Sequence, residues 1–342
     1  MRVGIVGGGY WGSKHVRVMG SLPEVGELSV IDPRPAVRSQ LAARHPGLAT
    51  YDDLGAALRS LDGVVIATPP TTHARIATVA LQAGCHVLVE KPLATSSLDA
   101  HGLVQLAAEV NRTLMVGHTF EYHSAVWRLR EVVANAELGS LHYLDSARLN
   151  LGLYQTDVNV IWDLAPHDVS IINHVLDETP AVVTAWGNAY AHAYLEDVAY
   201  LRLEYPRSGV EAQVHVSWLD PRKVRRLTVV GSERMAVYND LSEEERLKFY
   251  DKGVVTPDGS PINGQGLIYR NEGVSSPTLD FEEPLMVQDR HFVECARYGG
   301  RPSTDGACGT AVVDVLEAAQ VSLREQRPVE VDQMRLAEAT SS

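Results

Sequence analysis

The first 32 residues constrain the fold more than any other stretch of the chain. Arg2-Val3-Gly4-Ile5-Val6 has the character of a buried strand and leads into Gly7-Gly8-Gly9-Tyr10-Trp11-Gly12, a G-x-G-x-x-G pattern opening a helix. A second apolar run, Leu28-Ser29-Val30-Ile31, ends in Asp32. The glycines alone are a weak signal, but strand, turn, helix and a carboxylate about 20 residues on form the fingerprint of dinucleotide binding. Each residue type has a reason. Gly7 allows the tight turn, Gly9 lets the backbone approach a pyrophosphate, and Gly12 lets the helix pack closely on the sheet. The helix N-terminus, at Tyr10 and Trp11, faces the phosphate charge. Asp32 would accept hydrogen bonds from ribose hydroxyls and repel a 2′-phosphate, which favours NAD over NADP, whereas Arg34 would suit that phosphate. The alternative is an ordinary strand-turn-helix with Asp32 as a loop cap.

Over residues 1–118 the same rhythm continues, with strands expected near 2–6, 28–32, 63–67, 86–90 and 114–117 and helices between them. The clearest helix spans 73–83, with Ile76, Val79, Ala80 and Ala83 at helical spacing. This is the signature of an α/β doubly wound parallel sheet. Ligands of such sheets bind outside the carboxyl ends of the strands, so Thr68 and Pro69, with His73 shortly after, should border the cofactor. His118, ending the last of these strands, is a further cofactor-side candidate.

After Gly117 the rhythm changes. Helices over about 124–136 and 162–176 bracket a strand near 141–150, and four runs with partial alternation follow at 182–190, 198–205, 210–218 and 224–230. This half reads as α+β, a largely antiparallel open sheet with helices on one face. It makes residues 119–342 a second domain, for substrate binding and oligomerisation. An open face needs cover, and a second subunit is the economical one, so a homodimer or homotetramer is expected. The turn-rich stretch 258–266 reads as a projecting loop, and two closing helices, near 286–298 and 311–325, are expected to return to the dinucleotide domain. The tail beyond Asp332 is expected to fray.

A chain of 342 residues exceeds what one core usually covers. Its net charge of −13 argues against a nucleic acid partner. A small anionic ligand needs only a local cluster, and Arg222-Lys223-Val224-Arg225-Arg226 is either that or the solvated start of a strand. No apolar stretch is long enough for a bilayer and Met1-Arg2-Val3 runs straight into a core strand, so a cytoplasmic protein without membrane contact is expected. Cys85, Cys295 and Cys308 lie far apart, as buried or incidental thiols do. His192, His291 and the other histidines show no metal-ligand spacing, so no metal is expected.

Two constellations could carry chemistry. Glu90-Lys91-Pro92 ends the apolar run His86-Val87-Leu88-Val89. A lysine there needs a partner or a ligand, and the residues alone allow either an ion pair with Glu90 or a cation held for a substrate. In Trp162-Asp163-Leu164-Ala165-Pro166-His167-Asp168, Asp163 and His167 are four apart and share a face if the segment is helical. Proline favours the first helical turn, so a helix starting near Pro166 would put Asp163 at its cap and His167 in its first turn. Such a pair is either a base with its orienting carboxylate or a cap beside a surface histidine. Arg148, Asn150 and Tyr154, on or after a strand expected to pass the cleft, are substrate-side candidates, and Trp162 is a candidate wall of the site.

In order along the chain, the glycine fingerprint, Thr68-Pro69-Pro70 with His73, Glu90-Lys91-Pro92 and the Asp163-to-His167 spacing resemble the Gfo/Idh/MocA oxidoreductases over nearly the full length. His118-Thr119-Phe120, Asn150-Leu151-Gly152-Leu153-Tyr154 and Val214-His215-Val216-Ser217-Trp218-Leu219-Asp220-Pro221 are similar to the branch containing UDP-N-acetylglucosaminuronate 3-dehydrogenases. The resemblance implies hydride transfer between NAD and a ring carbon, C3 in that branch, of a sugar or nucleotide sugar. It further implies that Lys91 holds the reacting hydroxyl, that His167 exchanges its proton, and that Asp163 orients His167 or binds the sugar. Where family members often carry glycines, this chain has Val160, Ile161 and Ala165, and Ser170 stands where an acid is common. These departures bear on the substrate more than on the reaction. Other readings are a cyclitol or aminosugar substrate in secondary metabolism, NAD-assisted epimerisation or elimination, and a non-catalytic NAD-binding regulator. The presence of Lys91, Asp163 and His167 weighs against the last.

Overall fold

A computed structural model describes residues 1–152, 154–191, 193–255 and 268–332. His192, the stretch 258–266 and the tail beyond Asp332 lie outside the described residues. Residue contacts divide the described chain into two units, 1–122 with 282–314 and 123–281 with 315–332.

The first unit alternates β1 (Arg2–Val6), α1 (Tyr10–Met19), β2 (Glu27–Ile31), α2 (Pro35–Arg44), β3 (Ala49–Tyr51), α3 (Leu54–Leu58), β4 (Gly63–Ile66), α4 (His73–Gln82), β5 (His86–Glu90), α5 (Ser97–Glu109) and β6 (Leu114–Gly117). All strand pairs are parallel, in the order β3-β2-β1-β4-β5-β6. β4 and β6 are buried throughout, β1 and β5 in all but their first residue, as expected of a sheet covered on both faces. The order reverses between β1 and β4, and that switch point places a ligand crevice outside their carboxyl ends. β3 has no counterpart in the strands expected from sequence, because its three residues are exposed or half-buried and form no apolar run.

The second unit contains α6 (Ser124–Ala134), β7 (Leu141–Leu151), α7 (Val160–Leu176), β8 (Val182–Asn188), β9 (Val198–Tyr205), β10 (Val210–Ser217), β11 (Leu219–Gly231), β12 (Met235–Asn239), β13 (Leu247–Val255) and β14 (Ile268–Ser275). The chain then runs through α8 (Pro284–Tyr298), α9 (Gly306–Glu325) and β15 (Val329–Glu330). The sheet has nine strands in the order β14-β13-β12-β11-β7-β10-β9-β8-β15, and β7 with β10 is its one parallel pair among the described residues. β12, β13 and β14 extend it beyond the runs legible in sequence. Alternation drives the layering: Ala199, Leu201 and Leu203 on β9, and Ala212, Val214 and Val216 on β10, are buried. α7 packs on β7, β9 and β10. Trp186, Tyr200 and His215, at paired positions of β8, β9 and β10, stack with ring centroids 4.3 and 3.9 Å apart.

α7 begins earlier than Pro166 would suggest. Asn159 caps it, its side chain accepting from the Trp162 amide at 3.3 Å, and Pro166 lies inside the helix. Asp163 is therefore in the first turn and His167 one turn on, on the same face. The helix loses the bond an N–H at 166 would have made to the Trp162 carbonyl. Burial of Val160, Ile161, Ala165, Val169 and Ile172 outweighs that loss.

α8 belongs to the first unit, where Phe292 and Val293 join Ile5, Val16, Met19, Leu88 and Met115 in one core. Just beyond it, Thr304 exchanges bonds with Val116 of β6, the Val116 amide donating to the Thr304 carbonyl at 2.8 Å and the Thr304 hydroxyl to the Val116 carbonyl at 2.7 Å. Among the described residues no helix is long and apolar enough to cross a membrane, and no three His, Cys, Asp or Glu residues could hold a metal ion.

Candidate active site

The glycine turn is shaped by contacts that only glycine permits at two of its positions. Gly7 has φ +92°, and a Cβ there would lie 2.6 Å from the Ala67 carbonyl oxygen; one at Gly12 would lie 1.7 Å from the Gly7 oxygen. A Cβ at Gly9 would meet no protein atom within 4 Å. Gly9 is thus glycine without any need of the protein's own packing, as expected where a ligand comes close to the backbone. It caps α1 without a side-chain bond, and no acidic residue occupies the first turn, so the helix end is left to an anion. Tyr10 and Trp11 are exposed beside it.

Asp32 is buried and accepts at both oxygens: Oδ1 from the Arg34 amide and Nε, each at 2.9 Å, and Oδ2 from the Gly8 amide at 2.8 Å and Arg34 Nη2 at 2.7 Å. The hydrogen bonds from Arg34 hold its carboxyl at about 2, well below the usual range. These four bonds use the lone-pair sites of the carboxylate, so ribose hydroxyls would have to replace Arg34. Arg38 Nη1 donates to the Asp32 carbonyl at 2.6 Å.

At the ends of β4 and β5, His73 is fully buried, its Nδ1 2.8 Å from the Pro92 carbonyl oxygen and its Nε2 2.9 Å from that of Thr68. Burial lowers its basicity. Thr68 shares a 2.7 Å hydroxyl bond with Thr72, and Pro69 is exposed. Lys91 is half-buried, and its amide donates to Glu90 Oε2 at 3.3 Å. Glu90 Oε1 lies 3.0 Å from His15 Nε2 on α1, and His15 Nδ1 lies 2.9 Å from Asp289 Oδ2 on α8. Neither ring nitrogen of the buried His118 has a hydrogen-bond partner among the described residues.

In the second unit, Trp218 Nε1 donates to Asp163 Oδ2 at 2.9 Å, and the Trp218 ring packs 5.3 Å from that of Tyr154. The Tyr154 hydroxyl is buried with no hydrogen-bond partner among the described residues. His167 is half-buried, Trp162 is buried, and Asn150, near the end of β7, is half-buried. Arg148 is differently placed. It is buried, with Nε 2.7 Å from Asp168 Oδ2, and Ser146 donates to Asp168 Oδ1 at 2.7 Å. That guanidinium neutralises a buried carboxylate inside the domain.

Residues 1–118 match a family model described as an oxidoreductase family with an NAD-binding Rossmann fold, and residues 126–237 match the GFO/IDH/MocA C-terminal domain. The chain belongs to the Gfo/Idh/MocA oxidoreductase family. Within this Gfo/Idh/MocA chain the parallel six-stranded sheet is accordingly an NAD-binding domain. UDP-N-acetylglucosamine 3-dehydrogenase from Acidithiobacillus ferrooxidans is 29% identical over 263 residues, 76% of this chain and 80% of its own length. Inositol 2-dehydrogenase from Rhizobium meliloti is 20% identical over 344 residues, 97% of this chain and 99% of its own. The crystal structure of GenD2 from gentamicin A biosynthesis in complex with NAD is 28% identical with a TM-score of 0.81, covering 96% of each chain.

Three residues that bond to the candidates of this Gfo/Idh/MocA chain were not singled out from sequence. His15 follows the fingerprint by one helical turn, but its partner Asp289 is 274 positions away. Trp218 stands in a segment that resembles the family, yet nothing local marks its indole as the donor to Asp163.

Proposed function

We propose that this oxidoreductase moves a hydride between NAD and a ring carbon of a sugar or nucleotide sugar, at C3, interconverting the alcohol and the ketone. The observation that carries this reading is Lys91 at the carboxyl end of β5, beside the switch point, with the preceding Glu90 held by His15. The Gly9 turn and the start of α1, which has no side-chain cap, fit a pyrophosphate, Asp32 fits a ribose, and the His118 ring, without a hydrogen-bond partner among the described residues, fits a polar ligand group near the end of β6. When bound, NAD supplies the hydride acceptor.

An alcohol carbon gives up hydride only as its hydroxyl proton leaves. Lys91 would donate a hydrogen bond to that oxygen and stabilise its developing negative charge. His167 would take the proton, and in ketone reduction return it. Asp163, which accepts from the Trp218 indole, would bind the sugar or orient His167. The named activity of the Acidithiobacillus ferrooxidans relative supports a nucleotide sugar and the 3-position.

UDP- and dTDP-sugars, free sugars and inositols, each incubated with NAD and followed by NADH absorbance, test the reading. Turnover of a nucleotide sugar that is lost in Lys91→Ala is expected, and equal turnover by wild type and Lys91→Ala would overturn it. Inositol 2-dehydrogenase among the relatives favours a second reading, a cyclitol substrate, which the inositol arm of the panel addresses. We also propose that a second copy of the chain covers the sheet face that carries Trp186, Tyr200 and His215. Trp186 is 57% exposed there, an unusual position for an aromatic ladder without a partner.

A further inference from the structure

We infer that His15 is a positioning residue for Lys91, acting through Glu90, and that α8 supplies the carboxylate, Asp289, that makes this possible. The inference rests on the reading of Lys91 as the group that holds the reacting hydroxyl.

Three elements meet at this point: α1 brings His15, β5 brings Glu90 and α8 brings Asp289. His15 and Asp289 are wholly inaccessible and Glu90 is 6% exposed. Each imidazole nitrogen faces a carboxylate, Nε2 at 3.0 Å from Glu90 and Nδ1 at 2.9 Å from Asp289. A neutral ring has one N–H and could donate to only one of them, so with both carboxyls ionised the two contacts are attractive only for an imidazolium. Burial opposes that charge, but Asp289 and Glu90 overcome it and keep the ring protonated up to about 10. The chain of contacts continues on the α8 side. Gln288 Nε2 donates to Asp289 Oδ1 at 3.3 Å, and Gln288 Oε1 accepts from the Thr119 hydroxyl at 2.7 Å, just after β6.

The consequence for Lys91 follows from what Glu90 does with its two oxygens. One is held by His15 and the other accepts the Lys91 amide. Without the imidazolium, Glu90 would face Asp289 uncompensated, a costly arrangement for two buried carboxylates. The cation next to it in sequence is Lys91, whose amide Glu90 already holds. An ammonium drawn to its own neighbour is displaced from the hydroxyl it has to hold, and small misplacements of that kind slow reactions by about 100-fold.

His15→Gln and Asp289→Asn in the full chain test this, with the lysines ¹³C-methylated and the Lys91 resonance identified by its loss in Lys91→Arg. In both variants the Lys91 resonance should move and kcat should fall by about 100-fold while NAD affinity is unchanged. In ¹⁵N-histidine spectra taken in mildly alkaline buffer, one ring should be protonated at both nitrogens and vanish in His15→Gln. Should His15→Gln fail to fold, Asp289→Asn, of the same shape and still able to accept a hydrogen bond, carries the same readouts. A neutral His15 ring overturns the inference. So does an unmoved Lys91 resonance with full turnover in the variants while Lys91→Ala is inactive. Full turnover by Lys91→Ala overturns the reading of Lys91 itself, and the inference with it.

Discussion

His15 Nδ1 and Asp289 Oδ2 are 2.9 Å apart across 274 positions of sequence. The contact makes α8 a working part of a unit whose six strands are complete by Gly117. The same helix contributes Phe292 and Val293 to that unit's core, so its polar and apolar faces both serve the dinucleotide sheet.

This pair carries a pH signature. The folded pKa of His15, about 10, lies above its ordinary 6.5, so its protonation stabilises the fold fully below 6.5 and the contribution is lost as pH rises through about 10. The stability difference between wild type and His15→Gln should shrink over that window by about 1.4 kcal/mol per pH unit. Thermal or urea denaturation across the range measures it, and a difference independent of pH would contradict the assignment.

Arg148 and Asp168 make the opposite kind of prediction, one about folding alone. Arg148→Ala leaves a buried carboxylate unpaired and should destabilise by about 3–5 kcal/mol. Replacing both residues by apolar ones of similar volume should recover much of that loss. If Arg148→Ala instead leaves the melting temperature unchanged and raises KM for the sugar, the guanidinium belongs to the substrate.

Arg34 competes with the cofactor for Asp32. Arg34→Ala should therefore keep or tighten NAD binding, whereas Asp32→Ala should weaken it about 10-fold or more, since hydrogen bonds to a charged group are worth roughly 1.5–3 kcal/mol. Calorimetric titration with NAD distinguishes the two. A loss of NAD affinity in Arg34→Ala would show that the guanidinium contacts the cofactor directly.

The glycine turn separates packing from binding. Gly12→Ala would force a methyl group against the Gly7 carbonyl oxygen and should produce little folded protein. Gly9→Ala meets no protein atom and should fold with a nearly native melting temperature, yet bind NAD far more weakly. Equal NAD affinity in Gly9→Ala and wild type would mean that the pyrophosphate does not approach that position.

The aromatic ladder on the sheet predicts assembly. Trp186→Glu places a charge beside Tyr200 and His215 and should shift the protein towards monomer in light scattering, without unfolding it. A wild-type protein that is already monomeric at high concentration would rule out the covered face.

Much of the first unit is legible because its signals are local. Gly7, Gly12 and Asp32 lie within one βαβ segment, and β4, β5 and β6 are short apolar runs. β3 escapes because an edge strand of three residues buries almost nothing. Pro166 misleads about the start of α7, since a proline is disfavoured inside a helix unless burial compensates, and five buried apolar neighbours do so here. The site divides in the same way. Lys91, Asp163 and His167 stand in local motifs, whereas His15 reaches Glu90 and Asp289, and Trp218 reaches Asp163, only when the chain folds.

His73 lies between the carbonyl of Thr68, after β4, and that of Pro92, after β5. As a neutral ring it has one N–H and donates to only one of the two carbonyls, while its buried body packs between two loops that the chain separates by a full helix. The tautomer therefore decides which loop is tied, and the one facing the bare nitrogen is held by packing alone.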